Sequence, residues 1–178
     1  MANRIMVILV GLVVTGLILV NSVYTITELE RAVLLRFGEV RNSDIPPGLH
    51  FKVPFVDNVR IFDGRVLTVD APAERFLTLE KKALIVDSFA KFKVQNVAKY
   101  YTATSGDQRR AEELLKERVN NGLRNEISNR TLHEVVSGQR DELMIDLVNK
   151  LNVEADDKLG IHVVDVRVKR IDLPEEVS

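Results

Sequence analysis

The first 27 residues form an apolar segment that constrains this chain more than any other feature. They carry one charged side chain, Arg4, and residues 5–24 read IMVILVGLVVTGLILVNSVY. As an α-helix, a stretch of this length rises about 30 Å, which matches the hydrocarbon core of a bilayer. A helix in lipid also satisfies its own backbone hydrogen bonds. We therefore predict a transmembrane helix at residues 5–24.

The flanking charges predict how this helix is oriented. Arg4 and the α-amino group precede it, while Glu28, Glu30 and Arg31 follow it. Because positive charge is retained on the cytoplasmic side, residues 1–4 are expected in the cytoplasm and the rest of the chain across the membrane. The alternative is a secretory signal peptide cleaved near Ser22, although the apolar region of such peptides usually spans only about 7–15 residues. The absence of cysteine agrees with an oxidising compartment.

The remaining composition narrows the class of protein. The chain has 178 residues, 46% of them hydrophobic, which allows one or two modest domains. The 25 Lys and Arg residues are matched by 26 Asp and Glu residues. Nucleic-acid binding is therefore not expected, because no basic excess is left to neutralise a phosphate backbone.

Residues 28–95 have the pattern of short strands joined by turns. They contain four of the five prolines and all seven phenylalanines. The pattern predicts a strand at Glu30–Gly38, a turn at Ile45–Gly48, a strand at Val59–Val69 interrupted at Asp63-Gly64, and a hairpin through residues 80–82. In Ala83–Val94, alternate residues from Leu84 to Val94 should share one buried face.

The apolar stretch Leu49–Val56 has two interpretations. Phe51, Val53 and Phe55 alternate with polar residues, which is typical of a strand that packs into a core. Alternatively, these side chains press into the nearby bilayer interface. Both interpretations remain open from the sequence.

Residues 96–178 change to a helical period. Apolar residues recur every four positions from Ala111 to Ile127, with Asp107 as the expected N-cap. Thr131 and Glu134 have the spacing of a capping box that opens a short helix ending near Gly138. A second long helix carries Leu143 through Ala155 and should end at Gly160.

A closing strand is expected at Ile161–Ile171, with Val164, Val166 and Val168 on one face and Pro174 as the stop. This order of strands, two long helices and a closing strand predicts an α+β domain, in which helices cover one face of a mainly antiparallel sheet. The composition divides this domain into a β-rich, membrane-proximal subdomain at residues 28–95 and an α/β subdomain at residues 96–178.

The residues indicate no enzyme, so we predict no catalytic, cofactor-binding or metal-binding residues. His133-Glu134 begins like a zinc-binding H-E-x-x-H motif, but Ser137 stands where the second histidine is needed. His50 and His162 lie far apart in strand-like stretches and are interpreted as structural. Phosphate-binding loops and nucleophile elbows are absent from the sequence.

Four sequence blocks resemble one family. These blocks are LRFGEV at residues 35–40, PPGLHFKVPF at 46–55, RFLTLEKKALIVDSFAKFKV at 75–94 and GIHVVDVRVKRIDLPEEVS at 160–178. Their order after an N-terminal anchor is similar to the SPFH, or band 7, family of stomatins, prohibitins, flotillins and HflK/HflC proteins. The second pair of blocks is most similar to the bacterial HflK/HflC branch.

The resemblance implies a non-enzymatic, single-pass scaffold in the bacterial inner membrane, with its main domain in the periplasm. Its implied partners are an HflK-like subunit in a hetero-oligomer, the ATP-dependent membrane protease FtsH, and membrane lipid. A stomatin- or prohibitin-like organiser of membrane patches without protease specificity is the alternative. Family members continue into a long helical assembly region, whereas this sequence stops at Ser178.

Overall fold

The computed structural model describes residues 2–43, 45–136 and 140–173, and the side chains in these ranges except those of residues 2–5 and 140. The chain forms two compact units, Met1–Asp63 and Gly64–Ser178. The elements of the first unit are α1 (Ala2–Asn21), β1 (Val23–Ile26), β2 (Glu30–Arg36), β3 (Glu39–Asn42), β4 (Gly48–Phe51) and β5 (Asp57–Asp63). Those of the second are β6 (Leu67–Leu77), β7 (Ala83–Val94), α2 (Val97–Thr104), α3 (Gln108–Ser128), α4 (Leu132–Val136), α5 (Arg140–Lys158) and β8 (Ile161–Asp172).

The first unit contains two small antiparallel sheets. In one sheet β1 pairs with β4, and in the other β2 lies between β3 and β5. Ile26, Ala32 and Ile45 form a small buried cluster, against which Tyr24 and Val59 pack. Tyr24 was predicted to end the apolar helix, but it lies in β1 opposite His50, with ring centroids 5.6 Å apart. The β-branched and aromatic residues of β1 favour a strand once a partner strand is available.

α1 covers most of the predicted membrane segment. Its apolar side chains from Met6 to Val20 are exposed. Within the described part of the chain, no helix is both long enough and apolar enough to cross a membrane.

The second unit is a three-stranded antiparallel sheet, with β7 between β6 and β8. α3 packs against β6 and α5 packs against β8, so the two long helices cover one face of the sheet. The predicted buried face of β7 is confirmed, because the side chains of Leu84, Val86, Ser88, Ala90, Phe92 and Val94 are all buried. The α+β architecture with antiparallel sheets and packed helices is thereby confirmed.

The two compact units divide the chain at a different place from the compositional change at residue 95. β6 and β7 precede that change, yet they form one sheet with β8, which follows both long helices. The change in period therefore marks a change of secondary structure within the second unit. Local composition cannot report this long-range pairing.

The predicted helix boundaries are confirmed where the structure describes them. The Asp107 carboxylate accepts the Arg109 N–H at 2.9 Å and caps α3. Thr131 N–H donates to the Glu134 carboxylate at 2.7 Å, and Glu134 N–H donates to the Thr131 hydroxyl at 3.4 Å, which is the reciprocal bonding of a capping box. Gly160 follows α5 with a φ of 64°. The predicted stops at Gly138 and Pro174 lie outside the described residues.

The predicted faces of β8 are wrong in one respect. Val164 is exposed, whereas Val163 and Val166 are buried. A register shift explains the difference, since Lys91 pairs with Asp165 while the next residue, Phe92, pairs with Val163. The extra residue reverses the alternation at this point, as in a β-bulge.

Candidate membrane-facing surface

Among the large apolar side chains of the first unit that project into solvent, four lie in or beside the turns at residues 37–38 and 54–56. Phe37, Phe51, Val53 and Phe55 are 84%, 75%, 50% and 95% exposed, and we call them the phenylalanine edge. The interpretation of Phe51, Val53 and Phe55 as core residues is therefore wrong. β4 ends at Phe51 and a turn follows at residues 54–56, so the alternating pattern does not continue as a strand.

Phe37 lies in the tight turn between β2 and β3. Arg36 pairs with Glu39, so Phe37 and Gly38 form a two-residue loop, and both have positive φ (52° and 89°). Such loops favour Asn-Gly, because a bulky side chain at positive φ is strained. Phe37 at this position therefore lowers the stability of the fold.

Phe55 has the same unusual conformation in a second turn. Its φ is 66°, and it follows Pro54 in the segment that joins β4 to β5. Asp57 N–H donates to the Val53 carbonyl at 2.9 Å and closes this turn. The two strained turns adjoin each other, since Phe37 N–H donates to the Val56 carbonyl at 3.4 Å. Backbone strain of this kind is concentrated at functional positions.

An ion pair fixes both turns to the sheet. Asp57 is almost fully buried, and its carboxylate receives two hydrogen bonds from the Arg36 guanidinium, at 2.7 and 3.0 Å. The same carboxylate accepts the Val53 N–H at 2.9 Å. These bonds lower the pKa of Asp57 from its usual value to about 2, and the hydrogen bonding from Arg36 has the largest effect. Asp57 therefore stays ionised and orients the Phe37 and Phe55 turns.

The phenylalanine edge begins where α1 ends. Phe51 pairs with Val23 across the β1–β4 sheet, and Lys52 N–H donates to the Ser22 carbonyl at 2.8 Å. Phe51 thus lies opposite the residue two positions after the end of α1, and both α1 and the phenylalanine edge expose apolar side chains within the first unit. Exposed apolar surface is typical of a site that contacts a membrane or another protein.

The three histidines lie in separate surroundings. His50 Nε2 lies 2.7 Å from the Pro46 carbonyl oxygen, and His162 Nδ1 lies 3.2 Å from a carboxylate oxygen of Asp156. His133 is exposed on α4. Among the described residues, no group of three or more His, Asp or Glu side chains is placed to hold a metal ion.

A polar cavity of about 430 Å³ lies between α3 and α5. Glu126 at its wall is buried and forms ion pairs with Lys150 and Arg130. The carboxylate is thus paired with one cation from α5 and one from the turn that follows α3. This arrangement joins α3 to α5.

Sequence reasoning identified the bilayer interface as one alternative for residues 49–56 but did not identify Phe37. The available signal was the Phe37-Gly38 pair between two strand patterns, where Asn-Gly is the favoured turn. Asp57 was also missed, because its partner Arg36 is distant in sequence and only the β2–β5 pairing brings them together.

Comparison with curated proteins gives relatives in several bacteria. The chain is 44% identical over 174 residues to Protein HflC of Haemophilus influenzae, with 93% of this chain and 59% of the relative covered. It is 43% identical over 182 residues to Protein HflC of Buchnera aphidicola from Acyrthosiphon pisum, covering 91% and 59%. It is 37% identical over 212 residues to the Modulator of FtsH protease HflC of Escherichia coli K12, covering 94% and 64%. The chain thus spans about three fifths of the length of these relatives.

A family model covers nearly all of the chain beyond α1. The model described as SPFH domain / Band 7 family matches residues 24–178, which include both sheets of the first unit and the whole second unit. The chain belongs to the SPFH domain / Band 7 family.

Proposed function

We propose that this chain is a membrane-anchored scaffold subunit that assembles with an HflK-like subunit and modulates an FtsH-type membrane protease. In this proposal the apolar segment predicted from the sequence at residues 5–24, rather than α1 alone, spans the bacterial inner membrane once, with the N-terminus in the cytoplasm and the rest of the chain in the periplasm. The phenylalanine edge rests in the adjacent lipid interface. The chain acts by position and assembly and carries out no catalysis.

The observation that carries this proposal is the exposure of the apolar side chains of α1 together with those of the phenylalanine edge in the same unit. The polar side chains Thr15 and Asn21 of α1 are compatible with lipid, because each bonds to a backbone carbonyl four residues earlier. Thr15 bonds to Gly11 at 2.8 Å, and Asn21 bonds to Leu17 at 3.0 Å. Such bonds remove most of the penalty for a polar group in hydrocarbon.

The phenylalanine edge supports the same placement. Moving an exposed phenylalanine side chain from water to an apolar environment is favourable by about 2 kcal/mol. This gain equals or exceeds the roughly 1–2 kcal/mol that positive φ costs a non-glycine residue. Membrane contact therefore accounts for bulky side chains at two turn positions where asparagine or glycine would fold better.

Confinement to a membrane explains how a domain without a catalytic site can regulate a protease. Anchored neighbours experience a raised effective concentration, so modest lateral contacts suffice for a stable assembly. The E. coli relative is named as a modulator of FtsH protease, which supports the proposed partner. The chain's 37% identity to that relative extends over 94% of its own length.

The experiment measures turnover of a membrane substrate of the FtsH-type protease in the source bacterium. The native gene is compared with its deletion and with a variant in which residues 1–21 are replaced by a cleaved signal peptide. We expect the deletion and the released variant to change the substrate half-life equally. Unchanged turnover in both strains contradicts protease modulation and favours a general organiser of membrane patches.

A further inference from the structure

β8 lies at one edge of the sheet of the second unit, and part of its outer side is open. Among the described strands, β8 pairs only with β7. At Val163 the outer side is occupied, because the Asn152 side chain donates to the Val163 carbonyl at 2.9 Å and accepts the Val163 N–H at 2.7 Å. A second register shift follows between Val168 and Arg170. These two features leave residues 164–168 as a short open segment.

A groove lined by four apolar and four polar residues runs beside this open segment. Its volume is about 330 Å³, and it lies between α5 and β8. Ile145 and Val164 are 62% and 46% exposed in its wall, and Met144 and Val148 also line it. Natural proteins usually protect an edge strand with bulges or charges. Here the bulges lie at the two ends. Between them Val164 is exposed and Val166 is buried, while Asp165 and Arg167 place one acidic and one basic side chain on the segment.

The open segment is complementary to itself. It reads Val-Asp-Val-Arg-Val, and an antiparallel copy centred on Val166 places Asp165 opposite Arg167 of the second copy. The same contact occurs twice, as a two-fold axis requires. Val164 then lies opposite Val168 of the second copy. Directly opposed unlike charges and β-branched pairs both stabilise strand pairing.

The side chains of Asp165 and Arg167 can change from a partner in the same chain to a partner in the second copy. Arg167 Nε now donates to the Asp165 carboxylate of the same chain at 2.9 Å, and the two side chains are 59% and 36% exposed. An exposed pair of this kind contributes little to stability. Each chain therefore loses little stability when this internal pair is replaced by two Asp165–Arg167 pairs between the copies.

We propose that two copies of this chain associate by antiparallel pairing of residues 164–168 of β8. The pairing joins two three-stranded sheets into one of six strands and buries Ile145 and Val164 along the seam. It concerns the second unit only and does not depend on the proposed role in protease modulation.

The test is a charge-reversal experiment on the full chain in mild detergent, with self-association measured by sedimentation equilibrium. Asp165→Arg places like charges opposite each other, and Arg167→Asp does the same with the opposite sign. We expect each variant alone to associate at least tenfold more weakly than the wild type. An equimolar mixture of the two variants should recover wild-type affinity within about threefold, because every opposed pair is again of unlike charge.

This design separates the proposed contact from the ion pair within one chain. Both variants have lost the internal Asp165–Arg167 pair, so recovery in the mixture requires contact between chains. Circular dichroism establishes that each variant is folded. No recovery in the mixture, or wild-type association of either variant alone, overturns the proposal.

A second pair of variants tests the apolar seam. Ile145→Lys places a charge in the groove, whereas Val153→Lys places one on an exposed position of the same helix outside it. We expect Ile145→Lys to weaken association at least tenfold and Val153→Lys to leave it unchanged. If the groove instead receives a different polypeptide, the purified wild-type chain stays monomeric at all concentrations, and that result also overturns the proposal.

Discussion

Arg36 and Asp57 face each other across the β2–β5 pair, and their side chains join the bases of the two strained turns. Phe37 directly follows Arg36, while Phe55 lies two residues before Asp57. Each phenylalanine has positive φ and is largely exposed. One partly buried ion pair thus holds two apolar side chains in conformations that the free backbone disfavours.

Acid should weaken the first unit through Asp57. The pKa of Asp57 is lowered to about 2 in the fold, against about 3.9 in an unfolded chain. A lowered carboxyl pKa stabilises the fold above the unfolded pKa, and this contribution is lost as pH falls from about 4 to 2. Thermal unfolding of the full chain in detergent should therefore show a falling midpoint across this range.

Asp57→Asn supplies the control for the acid experiment. The amide cannot ionise, so the difference between wild type and variant should be largest near neutral pH and should shrink below pH 4. A difference that stays constant from pH 7 to pH 2 would contradict the assigned role of Asp57.

Replacing the strained phenylalanines should improve folding but weaken membrane contact. Phe37→Asn and Phe55→Asn place a residue that tolerates positive φ, so each should stabilise the folded chain by about 1 kcal/mol. Flotation with vesicles should show reduced binding of the same variants after residues 1–21 are removed. Phe51→Asn is the matched control, because Phe51 lies in β4 and loses apolar area without relief of strain. Equal stability changes in all three variants would be inconsistent with strain at Phe37 and Phe55.

Gly160 should tolerate no side chain. Its φ is 64°, its carbonyl accepts the Gln95 and Asn96 N–H groups at 3.0 Å, and an added Cβ would collide with backbone atoms of Asn96 and Tyr100. We expect Gly160→Ala to lower the free energy of unfolding by about 3 kcal/mol. In Gly122→Ala the new methyl group meets side-chain atoms of Leu147 and Leu151 and no backbone atom, so the loss should be smaller. Chemical denaturation of both variants measures the difference, and similar losses would refute it.

Asn152 should stabilise the start of β8. Its side chain makes both hydrogen bonds to the Val163 backbone, so Asn152→Ala should cost about 1–3 kcal/mol. Asn149→Ala on the exposed face of α5 is the control and should be nearly neutral. Hydrogen exchange at Val163 gives a local readout, and unchanged protection there would contradict the assignment.

Helices α3, α4 and α5 and the central strand could be predicted because their signals are local, whereas α2 was not predicted. Asp107, the Thr131–Glu134 box and the alternation of β7 all act within a few residues, and the structure confirms them. The sequence left the exposure of Phe51 as one of two interpretations and did not predict the reversed face at Val164, since a strand end and a bulge depend on partner strands distant in sequence. The Arg36–Asp57 pair likewise follows from tertiary pairing.

The central claim is that this chain works as an anchored member of an assembly around a membrane protease. Its most direct test is purification of the tagged native protein from the membranes of its source in mild detergent, followed by mass spectrometry of the particle. The account predicts an intact residue 5–24 segment, with an HflK-like subunit and an FtsH-type protease in the same particle. Recovery of a soluble polypeptide lacking that segment, or of a particle without the protease, would contradict it.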